Sequence, residues 1–343
     1  MSKTKTQITL QDIANKLNVT KVTVSKALRN HPDISEATSK LVKYTADKMG
    51  YVPNLAARNL SAKKSSTIGV IVPVIASSFF AQIIDSIYNC AFNSDYDIIL
   101  AVSQEDSDKE RKHLETMLAM RVDGLIISVC EHTQNMDTFS KIKSFGLPIV
   151  FFDRTIDDDK YSSVTINNVY GAFSAVEKAI KNGYKKIGHL GGWQNVNIGS
   201  ERYTGFKSAL RKHKILLNKN YVAFGGFGED DGYNGFMDLY NNQNLPEILF
   251  TVTFPVALGV YRAASEVGLK IPRDLDLITF GNSTINRFLK PKLSYVDLQT
   301  NDIGVKAFEL VMKSIKSGKE FKLENIKIDT DLVINETCIK KVV

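Results

Sequence analysis

From Ile68 onward the chain alternates between short unbroken apolar runs and longer stretches whose apolar residues recur at helical spacing. Nothing else in its 343 residues limits the fold as much. "TIGVIVP" is followed by the stripe Ile83, Ile84, Ile87 and Tyr88, and "DIILAV" by Leu114, Met117 and Leu118; then come "DGLIIS" and "LPIVFFD". A second series begins near Asn168 with Phe173, Val176, Ala179 and Ile180. It continues through "KKIGHL", Phe206, Ala209 and Leu210, "YVAFGGF", "EILFTV", Val260, Ala263 and Ala264, and "DLITFG". A strand with one wet face alternates polar and apolar residues, whereas continuous β-branched runs are strands buried on both faces, as in parallel sheets covered by helices. Each series reads as a doubly wound α/β unit, and the two units as lobes with a cleft between them.

In open parallel sheets ligands bind beyond the carboxyl ends of the strands. Those ends fall at residues 73–80, Ser103, Asp153 and Arg154, residues 191–202, Phe227, Thr253 and Phe254, and Gly281 and Asn282. Phe79, Phe80, Trp193, Phe227 and Phe254 gather there among a few polar groups, a lining suited to a sugar or another small polar ring. Any one of these rings alone is ordinary core packing. Their concentration at strand ends is what points to a cleft.

The charge is unevenly divided. Residues 1–64 hold twelve Lys and Arg against four acids, a formal +8, so the remainder carries −1 of the chain's +7. That is the distribution of a basic module meeting a polyanion, joined to a near-neutral body. Within the module, "TLQDIANKLN" places Leu10, Ile13, Ala14 and Leu17 on one helical face behind Thr9 as N-cap, with Asp12 three residues on. Asn18 and Val19 leave room only for a tight turn, and Thr20 caps a second helix in "NVTKVTVSKALRN". There Val24, Ala27 and Leu28 fall on one side, and Lys21, Val22, Ser25, Lys26 and Arg29 on the other. Ser35 caps a third helix with the stripe Leu41, Val42, Ala46 and Met49, stopped by Gly50. Two short helices joined by so brief a turn form a helix-turn-helix, whose second helix enters the major groove of DNA. Lys21 and Lys26 can donate to guanine O6 and N7, and Val22 can meet a thymine methyl.

"TLQDIANKLNVTKVTVSKAL" resembles the N-terminal signature of the lac repressor family, and "HPDISEATSKLVKYTADKMGYVPNLAARNL" continues the likeness through the third helix into that family's hinge. The resemblance covers essentially the whole chain. It implies a three-helix DNA-binding domain over residues 1–53, a hinge helix and linker over 54–67, and an effector-binding and dimerisation core over 68–343, similar to periplasmic sugar-binding proteins. The core would divide into an N-lobe (about 68–166 and 297–324) and a C-lobe (about 167–296 and 325–343). The DNA-contacting set it implies is Thr20, Lys21, Val22, Thr23, Ser25, Lys26, Arg29, Ser35, Asn54, Ala57, Arg58 and Leu60, with Leu60 wedged between base pairs from the minor groove. "SERYTGF" puts Arg202 on the family's ligand-clamping arginine; Phe79, Phe80 and Phe227 match other pocket positions, and Asp153 a frequent acid. The effector-binding set is Phe79, Phe80, Asp153, Trp193, Arg202, Phe227, Thr253, Phe254 and Asn282. The chain departs from the family at Gly281, where an aspartate is common, and at Thr253 and Phe254, which counts against effectors that need that acid.

Enzymatic readings find little to stand on. "FGGFGEDDG" lacks both the GK[ST] ending of a phosphate loop and the full G-x-G-x-x-G pattern. Residues 157–159 form an acidic loop, the five histidines are scattered, and neither H-E-x-x-H nor G-x-S-x-G occurs. Cys90, Cys130 and Cys338 have neither disulfide-framework nor zinc spacing, so no metal or cofactor is expected. A transport-type sugar-binding protein would need an export signal, and "MSKTKTQITLQD" has no apolar core. The expectation is a cytoplasmic regulator without membrane contact, acting as a homodimer on a palindromic operator of double-stranded DNA under a small carbohydrate effector. Past the last expected strand, "KIDTDLVINE", the ending "TCIKKVV" shows no heptads that would assemble a tetramer.

Because the cationic excess lies in residues 1–64, deleting residues 1–60 should abolish operator binding and leave a folded, ligand-competent body. For the intact chain, log K should fall with log salt by roughly 0.9 per phosphate neutralised. A flat salt response in a filter-binding titration would contradict the electrostatic assignment.

Overall fold

The computed structural model describes residues 8–52, 64–156 and 159–339, and the chain divides between Ser65 and Ser66 into two compact units. In the first unit the helices α1 (Leu10–Leu17), α2 (Lys21–Leu28) and α3 (Glu36–Met49) close around Ile13, Ala14, Val24, Ala27, Val42 and Ala46. Each helix starts on a hydroxyl residue that satisfies an orphan backbone donor. Thr9 and Asp12 form a reciprocal capping box, the Thr9 N–H donating to Asp12 Oδ2 at 2.8 Å. Thr20 Oγ1 accepts from the Thr23 N–H, and Ser35 Oγ from the Thr38 N–H. Asn18 (φ 54°) and Gly50 (φ 71°) end α1 and α3 in the left-handed region. Leu41, expected in the stripe of α3, is exposed instead. Val42 and Ala46, with Met49 packed beside them, already fill the inward face, and Leu41 sits about 100° around the helix from Val42.

The second unit holds two sheets with the same strand order. The first runs β2 (Asp97–Val102), β1 (Thr67–Val72), β3 (Gly124–Ile127), β4 (Ile149–Phe152), β5 (Ser162–Ile166) and β11 (Asn325–Ile328), all parallel. The helices α4 (Ser78–Phe92), α5 (Ser107–Met120), α6 (Met136–Ser144) and α11 (Thr300–Ser317) belong to this lobe. The second sheet runs β7 (Val222–Phe224), β6 (Ile187–Gly191), β8 (Ile248–Thr251), β9 (Asp276–Phe280), β10 (Ser294–Asp297) and β12 (Asp331–Val333), with β12 antiparallel to β10. Its helices are α7 (Asn168–Lys181), α8 (Asn197–Lys212), α9 (Glu229–Asn241) and α10 (Phe254–Glu266). The central strands are buried along their whole length, as their unbroken apolar runs require.

The described chain passes between the lobes after β5, after β10 and after β11. The last crossing corrects the sequence-based boundary at 324/325 and the single strand drawn through "KIDTDLVINE". Asn325–Ile328 pairs with β5, Ile326 opposite Val164, and so belongs to the first lobe; only Asp331–Val333 joins β10. Asp329 and Thr330 break the run, and both pieces are half-exposed edge strands whose burial supplies no continuous apolar signal. Cys90, Cys130 and Cys338 are free. No helix of the described residues is long and apolar enough to cross a membrane, and no group of His, Cys, Asp and Glu among them is placed to hold a metal ion.

Helices α9 and α10 cross at paired glycines. A Cβ on Gly232 would stand 2.0 Å from the Val256 carbonyl oxygen, and one on Gly259 2.0 Å from that of Glu229, where rigid backbone cannot give way. Gly235 faces the flexible Leu190 side chain at 3.2 Å and, at ordinary contact distance, the Ala223 Cβ at 3.8 Å. Gly232→Ala should therefore destabilise by about 3 kcal/mol despite the better helix propensity of alanine, while Gly235→Ala stays within about 1 kcal/mol of the parent. Equal urea midpoints for the two variants would refute the close crossing.

Candidate functional site

In the first unit α2 presents the cationic face that its sequence predicts. Lys21, Val22 and Arg29 are exposed, Val22 to 64%, while Val24 and Ala27 are buried. Several of the expected DNA-contacting groups are held by neighbours: Lys26 Nζ pairs with Asp33 Oδ2 at 2.6 Å, and Arg29 Nη2 donates to Ser25 Oγ at 3.1 Å. The Lys26 hydrogen bond, helped by His31, holds the Asp33 carboxyl below its usual range. Thr20, Thr23 and Ser35 are engaged in helix capping. Asn54, Ala57, Arg58 and Leu60, the hinge positions, lie outside the described residues, as do Asp157 and Asp158.

In the second unit the carboxyl ends of the two sheets face each other across a cavity of about 620 Å³. Of the expected effector residues, Phe79, Phe80, Asp153, Arg202, Phe227, Thr253, Phe254 and Asn282 line it. Arg202, on the first turns of α8, is 2% exposed and tightly placed. Its Nε donates to Asn168 Oδ1 at 2.9 Å, its Nη1 to the Val252 carbonyl at 2.6 Å, and its guanidinium lies 3.9 Å from the centre of the Phe280 ring. Burial pulls its pKa down to about 10, against the opposing pull of Asp153 and Glu201. Asp153 follows β4 in the left-handed region (φ 57°), a conformation uncommon for a residue with a side chain. Its carbonyl accepts from Asn197 Nδ2 at 2.9 Å, tying the first lobe to α8 of the second. Burial pushes the Asp153 carboxyl up, with Arg202 and Arg154 pulling it back.

Trp193 is not in the cavity. Phe227 fills the space beside Gly192, where a Cβ would meet its Cε1 at 2.0 Å, and the chain carries Trp193 to the rim. There its indole N–H donates to Glu131 Oε2 at 2.9 Å and its ring packs on His132, while Asn195 Nδ2 donates to the Glu131 carbonyl at 2.9 Å. These contacts bridge the lobes. Thr253 spends its hydroxyl structurally, donating to the Phe227 carbonyl at 2.8 Å and capping α10. Gly281 sits at φ 84°, so the aspartate common in the resembled family would be strained there.

The effector set drawn from the sequence omits charged groups that the structure brings to the same cavity: Glu105, Glu131, Arg154 and Asp231. Arg154 Nη1 reaches both Glu105 oxygens, at 2.8 and 3.0 Å, and its guanidinium lies 4.8 Å from the Phe227 ring centre. The rule of strand carboxyl ends could have found Glu105 and Glu131, which stand just beyond "DIILAV" and "DGLIIS".

A cationic helix-turn-helix unit joined to a two-lobed α/β unit with a ligand-sized cavity has the parts of a DNA-binding regulator. Residues 9–54 match the model for "Bacterial regulatory proteins, lacI family", and residues 65–336 that for "Periplasmic binding proteins and sugar binding domain of LacI family". The catabolite control protein A of Priestia megaterium is 32% identical over 89% of this chain and 92% of its own length. The transcriptional repressor PurR of Actinobacillus pleuropneumoniae is 27% identical over 96% and 98%. The fold superposes on a lac repressor dimer bound to operator and the anti-inducer ONPF with a TM-score of 0.86, at 21% identity over 97% of this chain and all of that one. The chain belongs to the LacI family of transcriptional regulators and is not an enzyme.

Close enough to Arg202 to feel its charge, His189 on β6 is fully buried in a stack with Tyr203, Phe206 and Phe250. Its Nδ1 lies 2.9 Å from the Phe250 carbonyl and its Nε2 has no partner. Burial lowers its pKa from 6.5 to about 4. The unfolded chain takes up a proton below pH 6.5 that the folded chain refuses until about pH 4, so this contribution is intact above 6.5 and lost as pH falls through that window. Roughly 3 kcal/mol is at stake. His189→Phe should flatten the loss of stability between pH 7 and pH 4.5 in denaturant titrations, and an unchanged slope would mean that the imidazole is not held neutral.

Proposed function

We propose that this chain binds a palindromic operator as a cytoplasmic homodimer, and that a small carbohydrate in the interlobe cavity sets its affinity for DNA. One observation carries the effector reading: aromatic rings (Phe79, Phe227 and Phe254) and directional polar groups (Asp153, Arg154 and Arg202) line a single cavity that both lobes share. Rings offer apolar faces to a sugar while the polar groups fix its hydroxyls. Two structures of similar fold, each 22% identical, support the class of ligand: the regulator CelR in complex with cellobiose, and an Enterococcus faecium LacI-family regulator with bound ribose. On the DNA side, Lys21 and Val22 head the exposed face of α2, where a groove-reading helix makes its base contacts. Lys26 would exchange Asp33 for a base or phosphate on binding.

A ligand touching both lobes can bias the angle between them, since the crossings act as hinges, and that angle sets how two copies present their DNA-binding units. Control would reach the DNA through residues 54–67, the stretch of chain that joins the two units.

Arg202→Ala should abolish the effector's influence on operator binding in fluorescence anisotropy, with effector-free affinity within about threefold of the parent, because the arginine touches only the second unit. Lys21→Ala should cost about 1–3 kcal/mol on the preferred operator and relax selection at one base pair per half-site. Full ligand control in Arg202→Ala would remove the cavity from the mechanism.

A further inference from the structure

The interlobe cavity is unevenly charged. Besides Asp153 and Arg202, it is lined by Glu105, Glu131, Arg154 and Asp231, so carboxylates outnumber guanidiniums. Arg154 and Glu105 answer each other through their paired contacts, and Arg202 is matched by the buried Asp153. Glu131 and Asp231 are left over. Their hydrogen bonds come from uncharged donors: the Trp193 indole for Glu131, and the Gly226 and Gly228 N–H groups, each at 2.9 Å, for Asp231. Burial and then Glu105 raise the pKa of Glu131, Arg154 and the Trp193 indole pull it back, and Asp231 adds a smaller upward push.

A second observation points to a ligand. Asp153 and Arg154 are 3% and 5% exposed and line the cavity, yet Asp153 Oδ1 and Arg154 Nε have no hydrogen-bond partner. Buried polar atoms are almost always paired, so this part of the cavity wall holds polar capacity that the protein's own groups leave unmet. An anion in this cavity would add repulsion to two carboxylates for which the described residues supply no ion-pair partner. A neutral ring would desolvate them without neutralising them, and a cation would pair them.

We propose that the effector is a sugar or related polyol bearing an ammonium group, seated with the ammonium between Glu131 and Asp231 and the ring among Phe79, Phe227 and Phe254. This rests on the cavity being the effector site and narrows what it accepts. Charge-assisted hydrogen bonds are roughly twice as strong as neutral ones, so the amine should bind about tenfold tighter than its uncharged analogue. A phosphorylated analogue should bind more weakly than either.

Trp193 is the only tryptophan in the chain, and its bond to Glu131 makes its emission a reporter of this subsite. The full-length protein would be titrated, by fluorescence and calorimetry, with glucosamine, glucose and glucose 6-phosphate, and with the galactose and mannose counterparts of each. The expected result is an amine that binds about tenfold tighter than its neutral partner in at least one set. Glu131→Gln, which keeps an oxygen for the indole, should erase that preference, bringing the amine to within about threefold of its neutral partner. Asp231→Asn gives the same readout if Glu131→Gln disturbs the fold. The proposal is overturned if a neutral or phosphorylated sugar matches its amine, if either variant keeps the preference, or if no amine binds. A neutral sugar that shifts operator affinity would overturn this inference alone, whereas loss of ligand control over DNA altogether would overturn the regulator reading beneath it.

Discussion

A parallel strand can be buried on both faces only if helices cover both faces of its sheet, and most of this molecule's second unit follows from that requirement. The strand interiors carry Val, Ile, Leu and Phe with no room for chemistry, so β3, β4 and β8 are apolar and buried almost throughout. Polar function is displaced to the carboxyl ends, where chain leaving a strand turns toward the next helix. Because two such sheets face each other, those ends meet in one cavity. Asp153 leaves β4, Thr253 and Phe254 follow β8, and Gly281 and Asn282 follow β9, each delivered to the cavity by the same geometric necessity.

That regularity explains which parts of the protein could be read from its sequence. Strands such as "TIGVIVP" and "LPIVFFD" are unmistakable because burial on both sides leaves no polar interruption, and the helix starts at Thr9, Thr20 and Ser35 are legible because a hydroxyl there satisfies a backbone donor. The edge strands were not legible. In β11 and β12 partial exposure removes the apolar run, and two residues, Asp329 and Thr330, divide what looked like one strand between two lobes. Trp193 was misplaced for a different reason. Position at a strand end says that a side chain is near the cavity, but Phe227 had already taken the space beside Gly192. Leu41 failed likewise, outcompeted for the inner face of α3 by neighbours on a better register.

The charged groups of the cavity illustrate how a buried arginine is tolerated. Removing a guanidinium from water is costly unless hydrogen bonds and nearby opposite charge offset it. Arg202 meets the cost with Asn168, the Val252 carbonyl, the face of Phe280 and the nearby Asp153. Its position is set by groups on α7 and beyond β8, and so it stands in place before any ligand arrives. Glu131 is tethered from the other side of the cleft, by Trp193 and Asn195, and its placement therefore depends on the lobes being together.

The return of the chain to the first lobe at α11 and β11 has a consequence for biosynthesis. Ile303, Ala307, Phe308, Leu310 and Val311 of α11 are buried in the first lobe, against α4 and the sheet, yet they are translated after β6–β10 of the second lobe. A ribosome that has finished β5 has made most of the first sheet without the helix that seals one of its faces. That surface must wait, open to water, chaperones or another nascent chain, until nearly the whole polypeptide has emerged. A premature stop between β10 and residue 300 would therefore leave two unfinished lobes, the first without α11 and β11 and the second without β12.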